Sequence, residues 1–127
     1  MAEQKKTILI VDDDQNIADL IASPLRDLGF EVTTVTDGYQ AVNEAQANKP
    51  SLILLDVVMP KMDGFKVCRL IKFNEDLKNI PIIMMTSLSE AENRPTGEKV
   101  GADAYIPKPF KVDELLAKVK QLTAQSK

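Results

Sequence analysis

The fold of this chain is decided by residues 52–60, which read LILLDVVMP. Four consecutive apolar residues run directly into the carboxylate of Asp56, and Pro50 and Pro60 bound the stretch. An apolar run of this kind is typical of a strand that is buried on both faces of a sheet. Ligands of open α/β sheets bind beyond the carboxyl ends of the strands. Asp56 therefore either belongs to a functional site or only begins a turn, and this stretch alone leaves both interpretations open.

The overall composition restricts the kinds of site that the chain can carry. The 127 residues suit one domain with one core, and the net charge of -3 gives no basic surface for nucleic acid. One cysteine cannot form an internal disulfide, and without histidine the chain has no imidazole for metal binding or acid–base catalysis. The apolar stretch that ends at Asp12 is too short for a signal peptide or a membrane span. We therefore expect a cytoplasmic protein that binds neither membranes nor nucleic acid directly.

Five strand-like segments alternate with five helical patterns along the chain. The strand-like segments are residues 8–11, 31–35, 52–55, 81–85 and 104–106. Each is followed by apolar residues at helical spacing, most regularly in residues 112–122. This alternation predicts an α/β fold with three layers, in which a five-stranded parallel sheet lies between helices. Pro95 and Gly97 fall inside the fourth helical pattern, so we expect that helix to be short or displaced.

Polar side chains stand at the carboxyl ends of four of these strands. The first strand delivers Asp12 and Asp13, the third Asp56, the fourth Thr86 and the fifth Lys108. If the strands are ordered 2-1-3-4-5, the first and third are neighbours and the five side chains share one pocket. A surface cluster of salt bridges is the alternative, but the recurrence on four separate strands favours a site.

The residue types at these strand ends indicate phosphoryl chemistry assisted by a cation. Several carboxylate oxygens without histidine or thiolate suit a hard cation such as Mg²⁺, which also bridges to phosphate. A carboxylate can itself act as a nucleophile and become an aspartyl phosphate. An ammonium such as that of Lys108 and a hydroxyl such as that of Thr86 can bind the phosphoryl oxygens.

In combination, these motifs resemble the receiver domains of bacterial two-component response regulators. The resemblance extends over essentially the whole chain and implies one receiver domain over residues 1–127, with its core at about residues 7–122. It also implies a flavodoxin-like (βα)5 fold with the sheet order 2-1-3-4-5. The motifs that carry it are VDD at 11–13, LD at 55–56, MPKMDG at 59–64, MTS at 85–87, GAD at 101–103 and KPF at 108–110.

The resemblance implies a role for each matching residue. Asp56 would accept a phosphoryl group from the phosphohistidine of a sensor histidine kinase or of a histidine phosphotransfer protein. Thr86 and Lys108 would bind the phosphoryl group, and Tyr105 would occupy the aromatic switch position. The Lys108–Pro109 peptide bond would be cis. The domain would be a signalling phosphoacceptor rather than a turnover enzyme, since it would catalyse only its own phosphorylation and dephosphorylation.

The same resemblance implies a metal site and a switching surface. Asp13, Asp56 and the backbone carbonyl of Val58 would bind Mg²⁺, or Mn²⁺ in its place, and Asp12 would act through water. Phosphorylation would alter the surface formed by the fourth helix, the fifth strand and the fifth helix, which a partner protein or an output domain reads. Homodimers through this surface are common in the family, although Pro95 argues against a regular fourth helix here.

Three other functions fit parts of the sequence. Asp12 and Asp14 have the spacing of the aspartates in Mg²⁺-dependent phosphohydrolases, but such an enzyme would leave Asp56 idle and would need a cap domain. A flavodoxin-like cofactor protein would need a hydroxyl- and glycine-rich phosphate loop where this chain carries acids. A receiver fold that acts by contact alone, without phosphorylation, is the third function, and the complete set of acids argues against it.

Overall fold

The computed structural model of the chain describes residues 6–57, 64–87 and 102–125. The strands are β1 (Thr7–Val11), β2 (Glu31–Val35), β3 (Leu52–Asp56), β4 (Ile82–Ser87) and β5 (Ala104–Lys108). The helices are α1 (Gln15–Asp27), α2 (Gly38–Asn48), α3 (Gly64–Lys72) and α4 (Val112–Gln125). The fourth helix of the sequence prediction, with Pro95 and Gly97, lies outside the described residues, so α4 is the fifth predicted helix. None of the described helices is both long and apolar enough to cross a membrane.

The five strands form one parallel sheet in the order β2-β1-β3-β4-β5. The helices lie in two layers, with α2 and α3 packed on one face of the sheet and α1 and α4 on the other. The predicted three-layer α/β fold and its strand order are confirmed. The order places β1 and β3 side by side at the point where the chain reverses its direction across the sheet, which is where open α/β sheets bind ligands.

The burial of β3 explains the unbroken apolar run at residues 52–55. Ile53 and Leu55 pack in the layer with α2 and α3, whereas Leu52 and Leu54 pack in the layer with α1 and α4. All four side chains are fully buried, so neither face of the strand favours a polar residue. Strand β2, at the edge of the sheet, alternates between exposed and half-buried side chains before Val35. Its sequence is correspondingly more polar.

The strand register brings the polar residues to the same end of the sheet, beyond the carboxyl ends of the strands. In β1 and β3, Val11 lies opposite Leu55, one position before Asp12 and Asp56 respectively. In β4 and β5, the last rung of the ladder ends at Lys108. Parallel strands all end at the same edge, so the carboxylates and the ammonium are delivered to one place, as the sequence predicts.

Candidate functional site

The carboxyl ends of β1 and β3 carry a cluster of three carboxylates. One oxygen from each of Asp12, Asp13 and Asp56 lies within 4.8 Å of the corresponding oxygens of the other two. Asp12 and Asp56 are buried, whereas Asp13 is exposed to solvent. Like charges at this separation repel one another, and burial strengthens the repulsion because it removes the screening by water. The cluster therefore favours a cationic partner.

Backbone hydrogen bonds fix the two buried carboxylates relative to the sheet. The N–H of Asp12 donates to the carbonyl of Val35 at 3.1 Å, which extends the pairing of β1 with β2 by one residue. The N–H of Val57 donates to the carbonyl of Met85 at 3.0 Å, so the backbone just beyond Asp56 is held by β4. The backbone that carries these two acids therefore has little freedom to separate them.

The ammonium of Lys108, at the end of β5, faces two of the three carboxylates. Its Nζ lies 3.1 Å from Oδ1 of Asp56 and 3.5 Å from Oδ2 of Asp12. Burial lowers the pKa of Lys108, but attraction to Asp56 and Asp12 and hydrogen bonds to both raise it by more, so this pKa lies above its ordinary value. Lys108 is therefore charged at neutral pH and neutralises part of the cluster.

Gly64 begins α3 directly against the backbone of Asp56. Its N–H donates to the carbonyl of Val57 at 2.8 Å. A Cβ atom at this position would lie 2.3 Å from the carbonyl oxygen of Asp56 and 2.7 Å from Cα of Val57. Side chains do not approach backbone this closely, so only glycine fits. The sequence signals this contact only through the Asp-Gly pair at 63–64, directly before a helical pattern.

The structure describes the other predicted site residues to different extents. Thr86 lies in β4 opposite β5, and its side chain is not among those described. Val58 lies outside the described residues. Tyr105, on β5, is partly buried and packs against the layer with α2 and α3. The Lys108–Pro109 peptide bond is cis.

Two chemically versatile residues have structural rather than catalytic positions. Asp14 caps α1, because its Oδ1 accepts hydrogen bonds from the N–H groups of Asn16 and Ile17 at 3.0 and 3.4 Å. The N–H of Asp14 donates to Oδ1 of Asp12 at 2.9 Å, but its carboxylate is used as the helix cap and is not part of the carboxylate cluster seen among the described residues. This counts against the phosphohydrolase interpretation. Cys68 is fully buried in the core, and burial raises the pKa of its thiol to about 12. The thiol is therefore protonated at neutral pH, which excludes it as a nucleophile.

The donor set of the cluster fits a hard divalent cation such as Mg²⁺. All three groups offer carboxylate oxygens, and the chain has no histidine that would favour a softer metal. Mg²⁺ is commonly held by one or two carboxylates and keeps several water ligands. Asp13 is open to solvent, so water can complete the coordination on that side.

Asp13→Asn should stabilise the protein in metal-free buffer by about 1 kcal/mol, because the substitution removes one of three mutually repelling charges. For a domain of this size, the melting temperature should rise by roughly 3–5 °C. Added Mg²⁺ should stabilise the wild-type protein and should stabilise the variant much less. Thermal unfolding with EDTA and with Mg²⁺ measures both effects.

The matched control for this experiment is Asp76→Asn. Asp76 is exposed in the turn after α3 and is not part of the carboxylate cluster, and its substitution changes the net charge equally. Its melting temperature and its response to Mg²⁺ should equal those of the wild-type protein. An equal rise in both variants would mean that net charge, and not repulsion within the cluster, sets the stability.

The amino-acid sequence matches one known family over most of its length, the response regulator receiver domain, at residues 8–120. A probable transcriptional regulator, ycf27 of Cyanophora paradoxa, is 43% identical over 122 residues, which cover 96% of this chain and 50% of that protein. The DNA-binding dual master transcriptional regulator RpaA of Synechocystis is 41% identical over 115 residues, covering 91% and 48%. The chain thus spans about half the length of the curated relatives it matches.

Solved structures resemble the fold closely. A putative response regulator from Chloroflexus aurantiacus superposes with a TM-score of 0.90 at 33% identity, covering 96% of this chain and 100% of that one. The chemotaxis response regulator CheY4 of Vibrio cholerae gives a TM-score of 0.87 at 33% identity, covering 94% and 99%. The similarity therefore extends over the whole of these single-domain structures.

Proposed function

The chain belongs to the response regulator receiver domain family, and on this basis we propose that it is a signalling domain that accepts a phosphoryl group on Asp56. The observation that carries the proposal is the position of this buried carboxylate, which clusters with Asp12 and Asp13 and shares the ammonium of Lys108 with Asp12. The proposed domain comprises residues 1–127 with its core at about residues 7–122.

The proposed reaction is a direct transfer between two residues. An ionised oxygen of Asp56 attacks the phosphorus of a phosphohistidine on a sensor kinase or on a histidine phosphotransfer protein. A P–O bond forms as the P–N bond breaks, and the bonding electron pair leaves with the imidazole nitrogen. Asp56 needs no general base, because an ionised carboxylate attacks without first losing a proton. This agrees with a chain that has no histidine.

The charges around Asp56 decide whether the reaction is feasible. A phosphoryl group brings roughly two negative charges, which would be repelled by the three carboxylates. Lys108 would bind one phosphoryl oxygen, and the hydroxyl of Thr86 would donate a hydrogen bond to another. Asp13, Asp56 and the backbone carbonyl of Val58 would hold Mg²⁺ or Mn²⁺ directly, and Asp12 would act through water. When bound, that ion supplies positive charge beside the phosphoryl oxygens.

The proposed output is a change in the surface around β5. Phosphorylation would draw Thr86 and Lys108 toward Asp56, and Tyr105 would change its packing against the sheet. A partner protein or an output domain would read the surface formed by the predicted fourth helix, β5 and α4. The proposed role is thus that of a switch rather than of an enzyme that releases a product.

The proposal is tested by incubating the protein with Mg²⁺ and acetyl phosphate and recording its intact mass. We expect the mass to increase by one phosphoryl group. The increase should be absent in Asp56→Asn and in wild-type protein that has been depleted of divalent cations with EDTA. An adduct that persists in Asp56→Asn would place the acceptor elsewhere. If neither acetyl phosphate nor phosphoramidate gives an adduct, a receiver fold that acts by contact alone becomes the better description.

A further inference from the structure

We propose that Lys72 and Asp103 form an anchor at the amino-terminal end of β5 that positions Lys108 at the carboxyl end of the same strand. The anchor thus lies at the opposite end of the strand from the proposed phosphorylation site. The inference rests on the proposed function, because Lys108 is the group whose placement it explains. Neither anchor residue touches the acidic cluster. Both would therefore be positioning residues, which act through the strand and not through contact with the phosphoryl group.

Lys72, the last residue of α3, connects three parts of the chain through one ammonium. Its Nζ lies 2.8 Å from Oδ2 of Asp103, and it donates to the carbonyls of Ile80 and Lys78 at 2.7 and 3.2 Å. An ammonium has three donors, and these three acceptors use them all. The Lys72 side chain is only 12% exposed, whereas that of Asp103 is 36% exposed. The ammonium is therefore largely shielded from water, and its two carbonyl contacts strengthen an ion pair that is open to solvent on the aspartate side.

Asp103 links Lys72 to the sheet through two hydrogen bonds with the backbone of Ile82. Its Oδ2 accepts a hydrogen bond from the N–H of Ile82 at 2.8 Å, and its own N–H donates to the carbonyl of Ile82 at 2.9 Å. The carboxylate therefore acts as an additional rung just before the first backbone pair of the β4–β5 ladder, which joins Ile83 to Ala104. The start of β5 is thus held both to β4 and, through Lys72, to the end of α3.

The anchor matters because β5 is the last strand of the described sheet and pairs with β4 on one side. A strand with a single neighbour is fixed less firmly than a central strand, and a shift in register turns its side chains to the wrong face. Lys108 ends this strand and must reach Asp56, its partner at 3.1 Å. Lys108 lies five positions after Asp103, about 17 Å along an extended strand.

The test compares Lys72→Met with Lys78→Met. Both substitutions remove one lysine charge and keep an unbranched apolar stem, but Lys78 is exposed and forms a surface pair with Glu75. Asp103→Asn is a second variant, which keeps an oxygen for the N–H of Ile82 and loses the charge that Lys72 binds. Three quantities are measured: hydrogen exchange of the β5 amides, phosphoryl uptake from acetyl phosphate per folded molecule, and Mg²⁺ affinity by calorimetry.

In Lys72→Met, the β5 amides should exchange about tenfold faster, because a charge-assisted network at the start of the strand is lost. Phosphoryl uptake should fall by at least about fivefold, since Lys108 is less well placed. Mg²⁺ affinity should stay within about twofold of wild type, because the carboxylates proposed as metal ligands lie at the ends of β1 and β3 and not on β5. Asp103→Asn should change exchange and uptake in the same direction, and Lys78→Met should resemble wild type.

Two results would overturn the positioning role. One is that Lys72→Met and Lys78→Met behave alike. The other is that exchange rises equally in β1, β3 and β5 while Mg²⁺ affinity falls in parallel, which would mean that Lys72 only stabilises the whole fold. If wild-type protein takes up no phosphoryl group, the proposed function fails. Exchange at β5 in the two lysine variants then decides whether the anchor exists.

Discussion

Gly64→Ala should lower the free energy of unfolding by about 2–3 kcal/mol and should slow phosphoryl uptake at Asp56 by at least about tenfold. The added carbon would lie 2.3 Å from the carbonyl oxygen of Asp56, so either α3 or the end of β3 must move. A movement of β3 would displace Asp56 from Lys108, and a movement of α3 would disturb the core around buried Val67. Urea unfolding and the acetyl phosphate reaction measure the two effects.

Gly29→Ala is the matched control for this substitution. Gly29 has a φ angle of +98°, and an added Cβ would have no atom within 4 Å. Alanine there should therefore destabilise the protein by about 1 kcal/mol through backbone conformation alone. Phosphoryl uptake per folded molecule should not change. If Gly64→Ala matched Gly29→Ala in both measurements, the close approach of α3 to Asp56 would have no functional importance.

Lys108→Met should destabilise the metal-free protein by about 2–3 kcal/mol at pH 7. The substitution leaves the fully buried side chain of Asp12 and the nearly buried one of Asp56 without their ammonium. The loss should be smaller than for a wholly buried pair, because the lysine is 21% exposed. Mg²⁺ should restore much of the stability, since a divalent cation neutralises the same carboxylates. Urea unfolding with EDTA and with Mg²⁺ measures this, and exposed Lys111→Met is the control.

The effect of Lys108 on stability should also depend on pH in a definite direction. Its folded-state pKa is raised above the ordinary 10.5. The stabilisation is therefore fully present below pH 10.5 and is lost as the pH rises through the folded-state pKa. In EDTA, the difference in unfolding free energy between wild type and Lys108→Met should be constant from about pH 7 to 9 and shrink above about pH 10.5. A difference that vanished between pH 7 and 9 would contradict this assignment.

The central strands and the acidic cluster could be predicted because burial on both faces gives an apolar run in the sequence and a polar residue marks where each run ends. Residues 52–55 are uniformly apolar because β3 has helices on both of its faces. The polar residue that ends each run marks the edge where parallel strands finish, which brings Asp12, Asp56 and Lys108 together. The strand order itself came from the family resemblance, since periodicity reports which side chains are buried and not which strands are neighbours.

Contacts between distant elements could not be predicted in this way. Gly64 is required because α3 starts against β3, and the Asp-Gly pair at 63–64 indicates a turn before a helix but not this close approach. Lys72 and Asp103 look like a helix-terminal lysine and a turn aspartate, each with a sufficient local explanation. Their pairing depends on where α3 and β5 meet in space. The roles of Val58 and of the Thr86 hydroxyl stay predictions.

The unequal support of Asp56 and Lys108 has a mechanical consequence. Strand β3 is flanked by β1 and β4 and is covered by helices on both faces, whereas β5 borders β4 at the margin of the described sheet. If Asp56 is phosphorylated as proposed, attraction between the phosphoryl anion and the ammonium would pull on both supports with equal force. The more compliant strand is displaced farther, so β3 should stay in place while β5 moves. Elastic asymmetry alone would then send the movement outward through β5, away from the strands that hold the acids.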